Sequence, residues 1–549
     1  MTLVDSPRAT ADPATPYPDL RAHVATLERH GLLVRVTRAI NKDTQLHPLV
    51  RWQFRGGLEE SDRKAFLFSN VVDARGRTFR FPVLVGALAA SAEIYRLGIG
   101  APSLAEIETI WARALAKPIP PRVVEHAPCQ DVVLLGDELR GEGNGLDRLP
   151  VPVSTPGYDA APYLTATNVI TRDPETGIQN MGTYRGALKA PDRLGVMLSP
   201  VSGGRAHWFK YKARGEKMPV AFVVGAPPVV AYTGPQKLHP DIDELAISGG
   251  LAGAPINVVR AKTVDLLVPA EAEFVIEGFI RTDELEPEGP FGESHGYIAL
   301  EEYNFIFDVT AITHRGDPVF LSVISQVTPS ESSVVKRVAY EPMFLAYLRD
   351  QLGIKGLLRV SLHEPLTNLR PVIIIQFAQD TPSTEIWRAL RGAMSFQLFC
   401  GKIIIAVNDD IDPRNGDALL WALAYRSSPH LDTEVVSHRA RGHGPRSDTR
   451  GEDDSSLLID ATRKGPMPPL ALPKQEYMED AKRIWDSLGL PPLSPQPPWH
   501  GYQMGIWSAA WNEGADRAVG GHYDDNGART AERRRNDVGP ATPIDHPDH

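Results

Sequence analysis

Two unbroken β-branched runs constrain this chain more than any other feature. They are Val372-Ile-Ile-Ile375 and Lys402-Ile-Ile-Ile-Ala-Val407. A strand with no alternating polar face is covered on both sides. Between the runs, Thr381 is placed to cap a helix with Pro382 in its first turn, running to about Leu398. Strand, helix and strand of this kind predict a βαβ unit in a buried parallel sheet. The chain from about residue 330 onward therefore reads as α/β.

The full length of 549 residues exceeds what one simple core organises, so two or three domains are expected. Residues 1–17 are rich in Pro, Ala and Thr and read as a loose tail. Leu20, Val24, Leu27 and Leu32 fall at helical spacing, and Gly31 ends that helix. Strands at 33–36 and 81–86 and helical residues at 92–117 make an N-terminal α/β domain over 18–120. The proline-rich stretch Lys117-Pro-Ile-Pro-Pro121 marks its boundary.

Strand signals dominate from there to about residue 325, as at 220–225, 256–259 and 274–280. Many irregularly spaced strands predict a barrel-like domain over 121–328. Residues 305–313 and 319–323 flank the turn His314-Arg-Gly-Asp-Pro318, which reads as a hairpin. The C-terminal α/β domain spans 329–500 and contains a polar, Gly-rich loop at 438–454. An extension follows over 501–549, with Trp507 and Trp511 near its start.

The net charge of -10 leaves no basic footprint for nucleic acid. Two cysteines, Cys129 and Cys400, are too few for a disulfide framework, and a reducing, cytoplasmic setting is expected. No leader pattern is read, and no stretch nears the roughly 20 apolar residues of a membrane span.

Four segments can carry chemistry. In Pro287-Glu-Gly-Pro-Phe-Gly-Glu293, Glu288 and Glu293 lie at an odd offset, so a straight strand would part them. They converge only if the chain bends, which Gly289, Pro290 and Gly292 permit. Paired acids push one pKa upward and make a proton donor. Otherwise they are two solvated acids on a loop. In Asn180-Met-Gly-Thr-Tyr-Arg185, Gly182 permits close approach to a ligand and Arg185 can grip a carboxylate. Asn180 can offer an oxygen to a hard cation, or the segment is an ordinary strand edge. Asp241-Ile-Asp-Glu244 has oxygen ligands suited to Mg²⁺ or Mn²⁺, or is an acidic helix start. Ser202-Gly-Gly-Arg-Ala-His207 can cradle a phosphate or form a flexible turn.

In this order, the four segments resemble the UbiD family of prenylated-flavin-dependent decarboxylases, from about residue 19 to beyond 480. Val407-Asn-Asp-Asp-Ile-Asp-Pro413 and Leu420-Trp-Ala-Leu-Ala-Tyr-Arg426 resemble it too. His438-Arg-Ala-Arg-Gly-His-Gly-Pro-Arg446 and Pro498-Trp-His-Gly-Tyr502 look most like its protocatechuate and gallate (hydroxybenzoate) branch.

The resemblance implies an α/β (α+β) fold with a central flavin-binding split β-barrel and a C-terminal oligomerisation domain. It implies reversible, non-oxidative decarboxylation of an aromatic or heteroaromatic acid with prenylated FMN, Mn²⁺ (or Mg²⁺) and K⁺. Arg185, Glu288 and Glu293 would form the catalytic network, with Arg185 on the substrate carboxylate and Glu293 as proton donor. Asn180, Gly182, Thr183, Tyr184, Arg185 and Ser294 would hold the cofactor. Asn180 and Glu244 would bind Mn²⁺, and carbonyls around Thr233-Gly-Pro235 would bind K⁺. Relatives place a further histidine ligand about eighteen residues after the arginine, where this chain has Gly203. His207 either substitutes or packs elsewhere. A flavin prenyltransferase would supply the cofactor, and a homo-oligomer, dimer or hexamer, is implied. The alternative reading is a non-catalytic or accessory subunit of a UbiD-like carboxylase complex.

Overall fold

The computed structural model describes residues 16–200, 202–236, 238, 242–441 and 453–534. The tail at 1–15, Asp241, and positions 442–446 of the basic segment lie outside the described residues. The protein is mixed α/β.

One large antiparallel sheet positions the site. Its hydrogen-bonded order is Gln179–Gly182, Thr167–Arg172, Met218–Val224, Phe274–Glu288, Glu302–His314, Arg193–Val196, Gly186–Ala190 and Tyr163–Leu164. Val132–Leu135 adds to Glu302–His314 from the side. The central strands are buried over most of their paired length, while the far end of Phe274–Glu288 and the start of Glu302–His314 are polar and exposed. Val220, Phe222, Val275, Ile276, Phe307 and Ile312 are all buried. Two helices bear on the Asn180 strand, Gly203–Arg214 and Glu244–Ala252.

The N-terminal layer holds a four-stranded sheet of Leu33–Val36, Ala65–Phe68, Val83–Val85 and Phe320–Ser322. The last strand corrects the hairpin expected across His314–Pro318. Phe320–Ser322 pairs in parallel with Val83–Val85, not with Glu302–His314. All three of its residues are buried although the strand ends that sheet.

The C-terminal sheet runs Leu357–Leu362, Val372–Phe377, Ile403–Asn408, Asp454–Asp460 and Thr433–Arg439. It is mixed rather than purely parallel. Ile403–Asn408 is parallel to Asp454–Asp460, while both outer pairs are antiparallel. The connecting helix Ser383–Phe396 forms as expected and buries Ile386, Ala389, Leu390 and Ala393. Its cap differs. Pro382 stands at the N-cap, and the Thr381 hydroxyl bonds back to Ala378 O at 2.9 Å.

Residues 407–432 and 461–534 cluster as a second compact unit. Within it, Arg426 holds Asp410 through two hydrogen bonds of 2.8 and 2.6 Å. Tyr502 donates its hydroxyl to the same carboxylate at 2.8 Å. Helices continue through the extension at Ala509–Val519 and Tyr523–Glu532. No helix among the described residues is long and apolar enough to cross a membrane.

Candidate active site

The bend expected between Glu288 and Glu293 is present. The long strand ends at Glu288, opposite Glu302. Gly289 then takes a φ of 104°, a backbone state that glycine alone accepts readily. Phe291–Gly292 pairs with Ile298–Ala299 in a short hairpin, and Glu293 sits at its turn. A Cβ at Gly292 would collide with Thr155, so that glycine is needed for close approach.

Arg185 joins the two acids. It leaves the Gln179–Gly182 strand just before Gly186–Ala190. Its Nε donates to Glu288 Oε1 at 3.0 Å and its Nη2 to Glu288 Oε2 at 2.7 Å. Its Nη1 donates to Glu293 Oε1. The side-chain exposures are 9% for Arg185, 0% for Glu288 and 14% for Glu293. The two acids are therefore not equivalent: one is sealed and one has access to solvent. Burial opposes the charge of Arg185, but the two carboxylates outweigh it and raise the guanidinium pKa.

Four further residues shape this site, and three of them, Asn304, Tyr163 and Asp159, belong to no motif that reading the sequence could have used. Asn304 donates to Glu288 Oε2 at 3.0 Å from the facing strand. Phe291 lies under Arg185, with the guanidinium 5.0 Å from its ring centre, and Tyr163 lies 6.0 Å away. Asp159 braces the hairpin, accepting from Thr155 N at 2.7 Å and Gly292 N at 2.8 Å. Burial raises its pKa. Phe291 alone stood inside a recognised segment. Asn304 is placed by the pairing of Phe274–Glu288 with Glu302–His314, Tyr163 by its pairing with Gly186–Ala187, and Asp159 by its bond to Gly292, 133 positions along the chain.

The second cluster centres on Asn180. Glu244 opens its helix behind the cap Asp243 and accepts from Met181 N at 2.8 Å. It thus lies against the backbone next to Asn180. The Ser202–His207 segment is a helix start: Ser202 caps it by accepting from Arg205 N at 3.3 Å. A Cβ at Gly203 would fall on the Asn180 amide. Tyr184 packs beneath Gly182 and Gly204 and accepts from Gly204 N at 3.3 Å. Thr183 lies beside Gly234. Ser294 N donates to Glu293 Oε2 at 3.2 Å.

His207 is buried and bonds Thr171 Oγ1 through Nδ1 at 2.9 Å, with Nε2 4.0 Å from Asp173. Thr171 is the cross-strand partner of Asn180, so the ring lies one strand over from it. Desolvation lowers its pKa against the pull of Asp173. Among the described residues no three His, Cys, Asp or Glu side chains gather as a metal cage. The oxygen donors Asn180 and Glu244 nevertheless suit a hard cation. The buried Asn180 Nδ2 has no hydrogen-bond partner, so the amide can turn to present its oxygen there. In this respect the donor set would fit a hard cation held by Asn180 and Glu244.

Comparison with known proteins then decides the family. Residues 122–327 match the domain described as UbiD, 3-octaprenyl-4-hydroxybenzoate carboxy-lyase Rift-related. Residues 336–461 match the C-terminal domain of the same carboxy-lyase. Together these span more than half of the chain.

The chain belongs to the UbiD family.

UbiD-class structures share its fold. The UbiD-class enzyme HmfF from Pelotomaculum thermopropionicum, in complex with FMN, is 27% identical with a TM-score of 0.73, covering 82% of this chain and 95% of that one. An evolved dimeric form of HmfF in complex with prFMN is 27% identical, with a TM-score of 0.70, covering 81% and 95%. The 3,4-dihydroxybenzoic acid decarboxylase from Enterobacter cloacae matches in fold, at 22% identity and a TM-score of 0.70, covering 85% and 100%. As a UbiD protein the chain is an enzyme of the carboxy-lyase class.

Proposed function

We propose that this UbiD enzyme catalyses reversible, non-oxidative decarboxylation of an aromatic carboxylic acid, of hydroxybenzoate-like or heteroaromatic type, with prenylated FMN. The observation that carries the reading is one buried arginine shared by a sealed and a solvent-accessible carboxylate. Arg185 binds and orients the substrate carboxylate by parallel hydrogen bonds. Glu288 keeps the guanidinium in place. As the bond to the carboxylate carbon breaks and CO₂ leaves, Glu293 delivers a proton to the ring carbon in its stead. Glu293 then recovers a proton from water. Phe291 and Tyr163 screen the arginine from solvent.

Asn180, Gly182, Thr183, Tyr184, Arg185 and Ser294 would hold prenylated FMN. Asn180 and Glu244, with His207 the weakest candidate, would hold Mn²⁺ or Mg²⁺ at its phosphate, and carbonyls of Thr233, Gly234 and Pro235 would hold K⁺. When bound, the flavin supplies an electron sink for the carbon that loses CO₂. HmfF exists with prFMN and in a dimeric form, which supports the same cofactor and a homo-oligomer here. A flavin prenyltransferase is the expected cofactor supplier. The intact Arg185 network favours catalysis over an accessory role.

The test is co-expression with a flavin prenyltransferase, anaerobic purification, and CO₂ release from a panel of aromatic acids. Turnover of a hydroxybenzoate or heteroaromatic acid is expected. No bound prenylated FMN together with no turnover on any acid would sink the reading.

A further inference from the structure

The hairpin that carries Glu293 is gripped along its outer edge by a neighbouring loop. Ala160 N donates to Pro290 O at 3.1 Å. Gly292 N donates to Asp159 Oδ1 at 2.8 Å. The other Asp159 oxygen accepts from Thr155 N at 2.7 Å, and Asp159 N donates to Thr155 O at 3.0 Å, so the carboxylate also closes its own loop. One side chain thus ties that loop to the residue directly before Glu293. The hold has little slack. A Cβ at Gly292 would collide with both Thr155 Oγ1 and Gln326 Cγ, so the backbone there is already in close contact.

A carboxylate is a costly group for this task. Asp159 is partly buried, and burial raises its pKa against the pull of the Gly292 and Thr155 N–H donors. An acid drawn out of water lowers stability unless its bonds compensate. A charged acceptor does supply stiffness, because its hydrogen bonds are shorter and stronger than those of a neutral one. Stiffness matters at this point of the chain. Glu293 rests on Arg185 and must also reach the carbon that takes the proton. A reacting group misplaced by about 1 Å loses on the order of 10²-fold in rate.

We propose that Asp159 is a positioning residue that fixes the backbone at Gly292 and thereby aims the Glu293 side chain for proton delivery. The proposal rests on the decarboxylase reading for the proton that Glu293 delivers.

The test compares wild type, Asp159→Asn, Glu293→Gln and the double variant as cofactor-loaded full chains. Asparagine keeps the size but presents an NH₂ group where one of the two backbone N–H groups points. Hydrogen–deuterium exchange reads the hairpin without turnover. In Asp159→Asn, exchange over 289–297 should quicken about tenfold or more, with 218–224 unchanged. Steady-state CO₂ release reads the chemistry. In Asp159→Asn, kcat should fall about 10- to 100-fold with KM within about twofold, since Arg185 is untouched. In the Glu293→Gln background the same substitution should cost less than about twofold, because the acid it aims is gone. Unchanged hairpin exchange, unchanged kcat, a loss carried by KM, or equal losses in both backgrounds would each overturn the proposal. Failure of the decarboxylase reading shows separately, as absence of CO₂ release by wild type on every acid. Faster exchange over 289–297 would then still report the hold on Gly292, while its role in proton delivery would fall.

Discussion

Arg185 grips Glu288 along two parallel bonds, Nε to Oε1 at 3.0 Å and Nη2 to Oε2 at 2.7 Å, in a spot water does not reach. The fork geometry of the guanidinium is what matches both oxygens at once. Lysine has one charged nitrogen and cannot reproduce it. Arg185→Lys is expected to lower kcat/KM by about 100-fold or more and to destabilise the fold by about 3 kcal/mol, because Glu288 is left half-paired. Steady-state CO₂ release and urea unfolding check the two effects.

Glu293 shares the same guanidinium but keeps some contact with solvent. Glu293→Gln keeps the volume and removes the exchangeable acid. Cofactor content should be unchanged while turnover falls about 10²- to 10⁴-fold. Full activity in that variant removes Glu293 from proton delivery.

Gly203 touches the Asn180 amide so closely that a methyl group has no room. In Gly203→Ala the amide must swing away. Manganese affinity is expected to fall about tenfold or more, the usual range when a ligand is misdirected. Elemental analysis of protein equilibrated with limiting Mn²⁺ reads this out directly. An unchanged metal content would detach Asn180 from metal binding.

Two buried histidines set an acid limit on stability. Burial lowers the pKa of His23 to about 4 and, with Arg51 nearby, that of His47 to about 3, from 6.5. The unfolded chain takes up these protons near pH 6.5, and the folded chain does not until pH 4 or below. The unfolded state thus binds more protons in this window, so stability is full above pH 6.5 and is lost as pH falls toward 4. For His23 the drop corresponds to roughly 3 kcal/mol. Thermal midpoints should decline across pH 6.5 to 4, and less steeply in His23→Gln. An equal slope in that variant refutes the assignment.

Local chemistry was legible in the sequence wherever a residue's neighbours along the chain decide its setting. The turn at Gly289, the helix start at Glu244 and the strands through Val220 and Phe274 follow from nearby glycine, acidic and apolar patterns. What the sequence left open depends on which strands pair and in what register, whether near or far along the chain. Nothing local says that Phe320–Ser322 crosses to Val83–Val85, or that Tyr163 and Asn304 come to rest on Arg185 and Glu288. The acid pair also needed its arginine. Only a bend plus a cation 103 positions away in the chain turns two loop carboxylates into one network.

The crossing of Phe320–Ser322 into the N-terminal sheet has a practical consequence. A fragment cut at residue 120 would carry Val83–Val85 with one side of its backbone bare and its buried side chains uncovered. Such a piece would seek a partner strand and aggregate. The first layer and the strand system that bears Glu288 and Glu293 are thereby laced together, so grafting or swapping one without the other breaks a sheet rather than a linker.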